Sequence, residues 1–233
     1  MCLSAFVAKN MSINKEKYQE IITELDGKAT LVAVSKTKPP GDIQALYDLG
    51  HRDFGENYVQ ELTQKYEQLP KAINWHFIGH LQSNKVKYIA PFIHLIHGVE
   101  SPGLLKEVNK QALKNNRVID CLLQVYIAKE ETKFGLDEKE LEMLINTDLN
   151  ELKNIRIAGL MGIASFSDNM ELVRNEFNFL KSLFAKYARP STINYELSTL
   201  SMGMSADYKI ALEEGSNMVR IGSLLFGERN YNV

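Results

Sequence analysis

Leu31-Val32-Ala33-Val34-Ser35-Lys36-Thr37-Lys38-Pro39-Pro40 is an apolar run closed by a lysine and then by two prolines through which no strand continues. Residues Leu31 to Ser35 read as a buried strand, so Lys36 stands at a carboxyl mouth, where α/β folds place their chemistry. Desolvation there disfavours the ammonium form and leaves an amine able to form a Schiff base with an aldehyde. A lysine that merely begins a surface loop would look the same in isolation, so the rest of the chain has to decide.

On either side of this run the chain alternates short apolar stretches with segments of helical period. The stretches are Leu31–Ser35, Arg52–Gly55, Trp75–Ile78, Ile93–Ile96, Leu122–Ile127, Ile155–Met161, Asn194–Leu197 and Met218–Ile221, eight in all. Between them, Val173, Phe177, Leu180, Phe184 and Tyr187 recur at helical steps, as do Tyr58, Leu62, Tyr66 and Leu69. An opening helix carries Tyr18, Ile21, Ile22 and Leu25 on one face. Eight strand and helix units predict a single-domain α/β fold over residues 1–233, a closed (β/α)₈ TIM-type barrel with an extra N-terminal helix. Arg52–Gly55 is short and half polar, which leaves an open doubly wound sheet as the alternative. No Gly-x-Gly-x-x-Gly follows the first strand, which argues against a dinucleotide fold.

Composition narrows the partners. The 233 residues are 45% hydrophobic and 24% charged, enough to bury a full core. With 27 Lys and Arg against 29 Asp and Glu, the formal charge is −2, and no basic footprint for nucleic acid exists. Cys2 and Cys121 are too few for a disulfide framework, and Cys121 opens an apolar run as a buried, inert thiol would. The start shows neither a cationic leader nor a long apolar stretch, and no segment reaches the ~20 apolar residues of a membrane span. The expectation is a cytoplasmic protein with neither nucleic-acid nor membrane partners.

In a barrel, phosphate is bound by the loops after strands seven and eight. Leu200-Ser201-Met202-Gly203-Met204-Ser205 follows the seventh run and precedes a helical segment with Tyr208, Ala211 and Leu212 on one face. The eighth run ends Val219-Arg220-Ile221-Gly222-Ser223. Glycines let backbone approach an anion, and hydroxyls and helix N-termini supply donors. Ser201 and Ser205 as plain caps and Gly222 as a plain turn would explain each motif singly; their coincidence in the two expected loops favours an anion cradle. Asn57, in Phe54-Gly55-Glu56-Asn57-Tyr58, stands where it would cap the next helix or bond a ligand hydroxyl. Met161, at the end of the sixth run, offers apolar contact. His76 and His80 flank the third run without the spacing of a metal site, so no metal is expected. Lys129 to Gly135 reads as a charged loop after the fifth run.

A lysine opposite a phosphate cradle, with Arg220 between them, suits a small phosphorylated aldehyde. Pyridoxal 5′-phosphate (PLP) fits, with its aldehyde on Lys36, its phosphate held by Ser201, Ser205, Gly222 and Ser223, and its ring nitrogen facing Arg220. Arginine keeps its proton and so would leave that nitrogen unprotonated, weakening the cofactor as an electron sink. A Schiff-base aldolase acting on a phosphosugar would use the same lysine and cradle.

Ala33-Val34-Ser35-Lys36-Thr37-Lys38-Pro39, Phe54-Gly55-Glu56-Asn57-Tyr58-Val59-Gln60-Glu61, Trp75-His76-Phe77-Ile78-Gly79, Leu81-Gln82-Ser83-Asn84-Lys85, Leu200 to Ser205 and Val219-Arg220-Ile221-Gly222 together resemble the YggS/PROSC family of pyridoxal phosphate homeostasis proteins. The resemblance runs from about residue 15 to the end of the chain. It implies a fold type III barrel like the N-terminal domain of alanine racemase, a role in buffering and delivering PLP for vitamin B6 homeostasis, and no established turnover. It makes Lys36 the imine lysine, Asn57 a neighbour of the ring and Arg220 the partner of the ring nitrogen, with Ser201, Ser205, Gly222 and Ser223 on the phosphate. Lys38 and Lys133 match lysines thought to tune cofactor exchange. Two departures stand out: Tyr126-Ile127-Ala128 replaces an Asn-Val-Ser type segment, and Gly162 stands where relatives often carry a larger residue.

Catalysis is the competing expectation, as a PLP-dependent amino-acid racemase or an aldolase. Racemisation needs acid/base groups on both faces of the substrate, and only Lys36 is assignable. Barrel racemases bring the second group from another domain, and the chain ends at Val233 shortly after the eighth run. Direct delivery to apo PLP-dependent enzymes is a third expectation, resting on Lys36, Lys38, Lys129 and Lys133 near the mouth.

Overall fold

The computed structural model describes residues 13–128, 134–146, 151–188 and 194–227. Its strands are β1 (Thr30–Val34), β2 (Asp53–Glu56), β3 (Asn74–Phe77), β4 (Leu95–Val99), β5 (Ile119–Val125), β6 (Ile155–Gly162), β7 (Tyr195–Met204) and β8 (Met218–Ile221). They pair in sequence order, all parallel, and β8 returns to β1 with Leu31 opposite Val219 and Ala33 opposite Ile221, which closes the barrel and rules out the open sheet. The half-polar second stretch is a true strand, with Phe54 opposite both Ala33 and Trp75.

Helix α1 (Lys15–Leu25) precedes the barrel, its first turn capped where Lys17 N donates to Asn14 Oδ1 at 2.9 Å. It buries Tyr18, Ile21 and Leu25 and meets α9 (Ser223–Phe226), with Asn14 N donating to Leu225 O at 2.7 Å. The crossover helices are α2 (Pro40–Asp48), α3 (Val59–Gln68), α4 (Val86–Ile89, after a 3₁₀ turn), α5 (Pro102–Lys114), α6 (Glu138–Asn146), α7 (Met170–Tyr187) and α8 (Tyr208–Glu213). Prolines open α2 and α5 at the position that needs no N–H. None of the described helices is long and apolar enough to cross a membrane.

Strand alternation sorts the side chains. Trp75 and Phe77, Val219 and Ile221, and Leu31 and Ala33 face the helix layer and join the main core. Each fully buried large side chain there contributes about 1.5–3 kcal/mol. The residues between them point inward. Val32, Leu95, Leu122, Ala158, Met161 and Met218 form a small apolar plug inside the barrel, and His76, His97, Ser201 and Arg220 form a polar line beside it.

Strand β7 runs seven residues past the end expected from the sequence, to Met204 rather than Leu197. Its polar stretch is strand because Asn217 pairs with it: Leu200 N donates to Asn217 Oδ1 at 2.8 Å, and Asn217 Nδ2 to Ser198 O at 2.7 Å. On the other side β6 presses in so closely that a Cβ on Gly159 would lie 1.8 Å from Thr199 O, so only glycine fits there.

Candidate functional site

At the carboxyl ends of the strands lies a cavity of about 520 Å³, within the range of small-molecule sites. Lys36, Asn57, Ser205, Arg220, Gly222 and Ser223 all line it, so six residues marked in the sequence converge on one space. Lys38 lines it as well, its Nζ donating to Phe226 O at 2.7 Å, which ties the β1 loop to the turn after β8.

Lys36 is placed by its neighbours. Ser35 Oγ donates to Glu56 Oε1 at 2.6 Å, and Ser35 O accepts from Lys65 Nζ at 2.8 Å. On the far side, Thr37 N donates to Glu61 Oε1 at 2.6 Å, holding Thr37 in a left-handed conformation at φ +65°. Lys65 joins the two carboxylates, 2.7 Å from Glu56 and 2.6 Å from Glu61. Burial pushes Glu56 up to about 7 against the pull of Lys65. The peptides flanking Lys36 are thus both pinned by β2 and α3.

Asn57 follows β2 directly, with its Oδ1 buried and accepting no hydrogen bond. An unsatisfied buried acceptor beside a cavity suits a ligand donor. Ser205 and Gly222 meet directly, Gly222 N donating to Ser205 Oγ at 3.2 Å. A Cβ on Gly222 would stand 3.2 Å from Val34 O, so this wall sits against β1. Arg220 is buried, with NH1 donating to Ser201 Oγ at 2.7 Å and NH2 to Gly162 O at 2.9 Å. Burial lowers its pKa to about 10 against the Asp207 carboxylate, which raises it, so it stays cationic at neutral pH.

Two expected cavity residues lie elsewhere. Ser201 was expected in a loop, but the longer β7 keeps it within the strand, fully buried beneath Arg220. Met161 points into the barrel plug and is likewise fully buried. Neither lines the cavity. Lys129 and Lys133 lie outside the described residues.

The two departures near strands five and six meet each other. A Cβ on Gly162 would lie 2.7 Å from Ile127 Cδ1 and 2.8 Å from Leu180 Cδ2, so the isoleucine fills the space that the glycine leaves. Residues the sequence did not flag complete the wall: Ile163, Ser165, Phe166 and Asp168 follow β6, and Glu176 steadies them by accepting from Ser165 N and Oγ at 2.6 and 2.7 Å. Burial pushes the Cys121 thiol up, as befits an inert core residue. Among the described residues, Asp53, His76 and His94 bring possible metal-ligand atoms within 4.8 Å of one another. His76 Nε2 is already bonded to Asp53 Oδ1, which also accepts from Asn74.

The profile of the alanine racemase N-terminal domain family matches residues 10–230. A pyridoxal phosphate homeostasis protein of Aquifex aeolicus is 46% identical over 87% of this chain and 88% of its own length. The human protein of the same name is 39% identical over 87% of this chain and 77% of its own. Among solved structures, PipY of Synechococcus elongatus with PLP bound has a TM-score of 0.83 at 32% identity, covering 91% of this chain and 99% of its own. Alanine racemase of Bartonella henselae, with a TM-score of 0.67 at 18% identity, shares the fold, and this chain spans 60% of its length. The chain belongs to the alanine racemase N-terminal domain family and, within it, to the pyridoxal phosphate homeostasis proteins.

Proposed function

We propose that this chain forms one PLP-binding barrel domain that holds pyridoxal 5′-phosphate and serves PLP homeostasis. One observation carries the reading: Lys36, Asn57, Arg220 and the Ser205, Gly222 and Ser223 group line a single cavity. The residues fit the cofactor's chemistry, with an amine for an aldehyde, an unsatisfied amide oxygen for a hydroxyl, a buried cation for a ring nitrogen, and hydroxyl and backbone donors for a phosphate. The relatives' names point the same way. A cytoplasmic setting suits the buried, unpaired Cys121.

When bound, the cofactor would supply an electrophilic carbon and a conjugated ring. Lys36 would hold it through a Schiff-base linkage, and the pinned peptides on either side would keep the amine facing the cavity. Arg220, permanently a donor, would leave the ring nitrogen without a proton of its own. That limits stabilisation of a carbanion and favours storage over turnover. Lys38, close by, would assist release to an acceptor, including apo PLP-dependent enzymes.

The purified protein should be yellow, with a visible band that borohydride bleaches. Lys36→Ala should lose that band and keep the fold. A colourless protein that no added PLP converts would contradict the reading. Among the described residues, Asp168 and Asp207 are the cavity-lining carboxylates on which a catalytic reading would rest. Holoprotein incubated with L-alanine or L-serine in deuterium oxide should exchange Cα protons far more slowly than about 1 per second, a rate that would mark an enzyme.

A further inference from the structure

Arg220 stands at the top of an unbroken line of polar side chains that crosses the barrel interior to its opposite face. Arg220 NH1 lies 2.7 Å from Ser201 Oγ, Ser201 Oγ 3.3 Å from His97 Nδ1, His97 Nε2 2.9 Å from His76 Nδ1, and His76 Nε2 3.1 Å from Asp53 Oδ1. These side chains come from β8, β7, β4, β3 and β2. Ser201, His97 and His76 are each at most 1% exposed, so bulk solvent does not reach them. We propose that Ser201, His97, His76 and Asp53 are positioning residues for Arg220, joined in a one-way hydrogen-bond chain that fixes the guanidinium beneath the cavity.

The direction follows from the two ends. Guanidinium only donates, so Ser201 Oγ accepts from Arg220 and must place its own proton on another acceptor. His97 Nδ1 is the acceptor within reach, which makes His97 the Nε2–H tautomer. That N–H donates to His76 Nδ1, so His76 is the Nε2–H tautomer too and donates to the Asp53 carboxylate. The reverse order would set two donors on Ser201, leave its proton without a partner, and turn a nitrogen lone pair toward a carboxylate. Neutral imidazoles suit the site, since burial holds both histidines below their ordinary range.

The consequence is mechanical. Both terminal guanidinium nitrogens are anchored from below, NH1 to Ser201 and NH2 to Gly162 O, so its plane is set before any ligand enters. What Arg220 faces rests on the cofactor reading, but the chain and its tautomers do not.

The test uses the full-length protein with ¹⁵N-labelled histidine at neutral pH and without cofactor. His97 and His76 should each show the Nε2–H tautomer with hydrogen-bonded nitrogens, and His97→Gln and His76→Gln assign their signals among the five histidines. Ser201→Ala should shift His97 Nδ1, weaken PLP binding about tenfold, and lower the thermal midpoint, because a buried guanidinium N–H and a buried imidazole nitrogen both lose their partner. Ser201→Thr, which keeps the hydroxyl, should restore all three. An Nδ1–H tautomer or a charged imidazole at His97 or His76 in the wild type would overturn the proposal. So would a Ser201→Ala variant with unchanged nitrogen shifts or unchanged affinity. If wild type binds no PLP yet shows these tautomers and the Ser201→Ala shift, the cofactor reading fails while the chain stands.

Discussion

The two walls of the cavity differ in what anchors them. On the β1 side the residues flanking Lys36 are held: Ser35 and Thr37 are pinned by an ionic group of Glu56, Glu61 and Lys65. On the β8 side Arg220 is placed through its own head group, held by a hydroxyl and a carbonyl. The first wall is built from ions and the second from neutral dipoles, so they should fail under different insults.

The largest effect should come from the ionic wall. Lys65→Met leaves Glu56 buried beside Glu61 without its counter-ion and should destabilise the protein by about 3–5 kcal/mol, read by urea denaturation. If the loss stays under about 1 kcal/mol, the group is no anchor. Lys65→Met should also lower the rate at which the visible band forms with PLP, because Ser35 O loses its donor.

Next comes the neighbour of the neutral wall. Gly162→Ala would push a methyl into Ile127 and Leu180 and should cost about 1–3 kcal/mol; adding Ile127→Val should recover part of it. Simple additivity of the two changes would show that the side chains do not share one space.

A smaller effect should separate the walls by pH. His76 and His97 are held below 6.5 by burial, so the folded state takes up fewer protons than the unfolded chain once the pH falls through that value. Their contribution is complete above about 6.5 and is lost toward acid, by up to about 2 kcal/mol for each histidine at pH 5. His97→Gln should flatten the stability profile between pH 7 and 5 relative to wild type; an identical slope would mean that His97 is charged in the fold. Glu56 has the opposite sign. Its raised value costs stability as pH climbs from about 4.5 toward 7.

The barrel was legible because short apolar runs and helical-period segments alternate eight times, and because prolines and glycines mark most strand ends. Lys36 and Arg220 could be located because they sit at or beside the ends of apolar runs that the pattern delimits well, and Asn57 because a helical-period segment begins just after it. Ser201 and Met161 were drawn into the cavity because position along a strand does not reveal depth. At β7 the run of Ser198, Thr199 and Ser201 imitates a loop, and only the Asn217 side chain, remote in sequence, keeps it strand. The loop after β6 carries no motif, so Ile163 to Asp168 could not be anticipated. His76 stood out only as a histidine without metal-site spacing, because its partner His97 lies on another strand and no spacing rule links them. Glu61 and Lys65 did carry a signal, their four-residue spacing on α3, which a reading for helix salt bridges would have caught.

The most direct test of the account is to locate the covalent link. Protein loaded with PLP, reduced with borohydride and digested should carry the reduced adduct on Lys36, and Lys36→Ala treated in the same way should carry none there and show no visible band. An adduct on Lys38 or another lysine in the wild type, or none at all, would contradict the assignment of this cavity as the cofactor site.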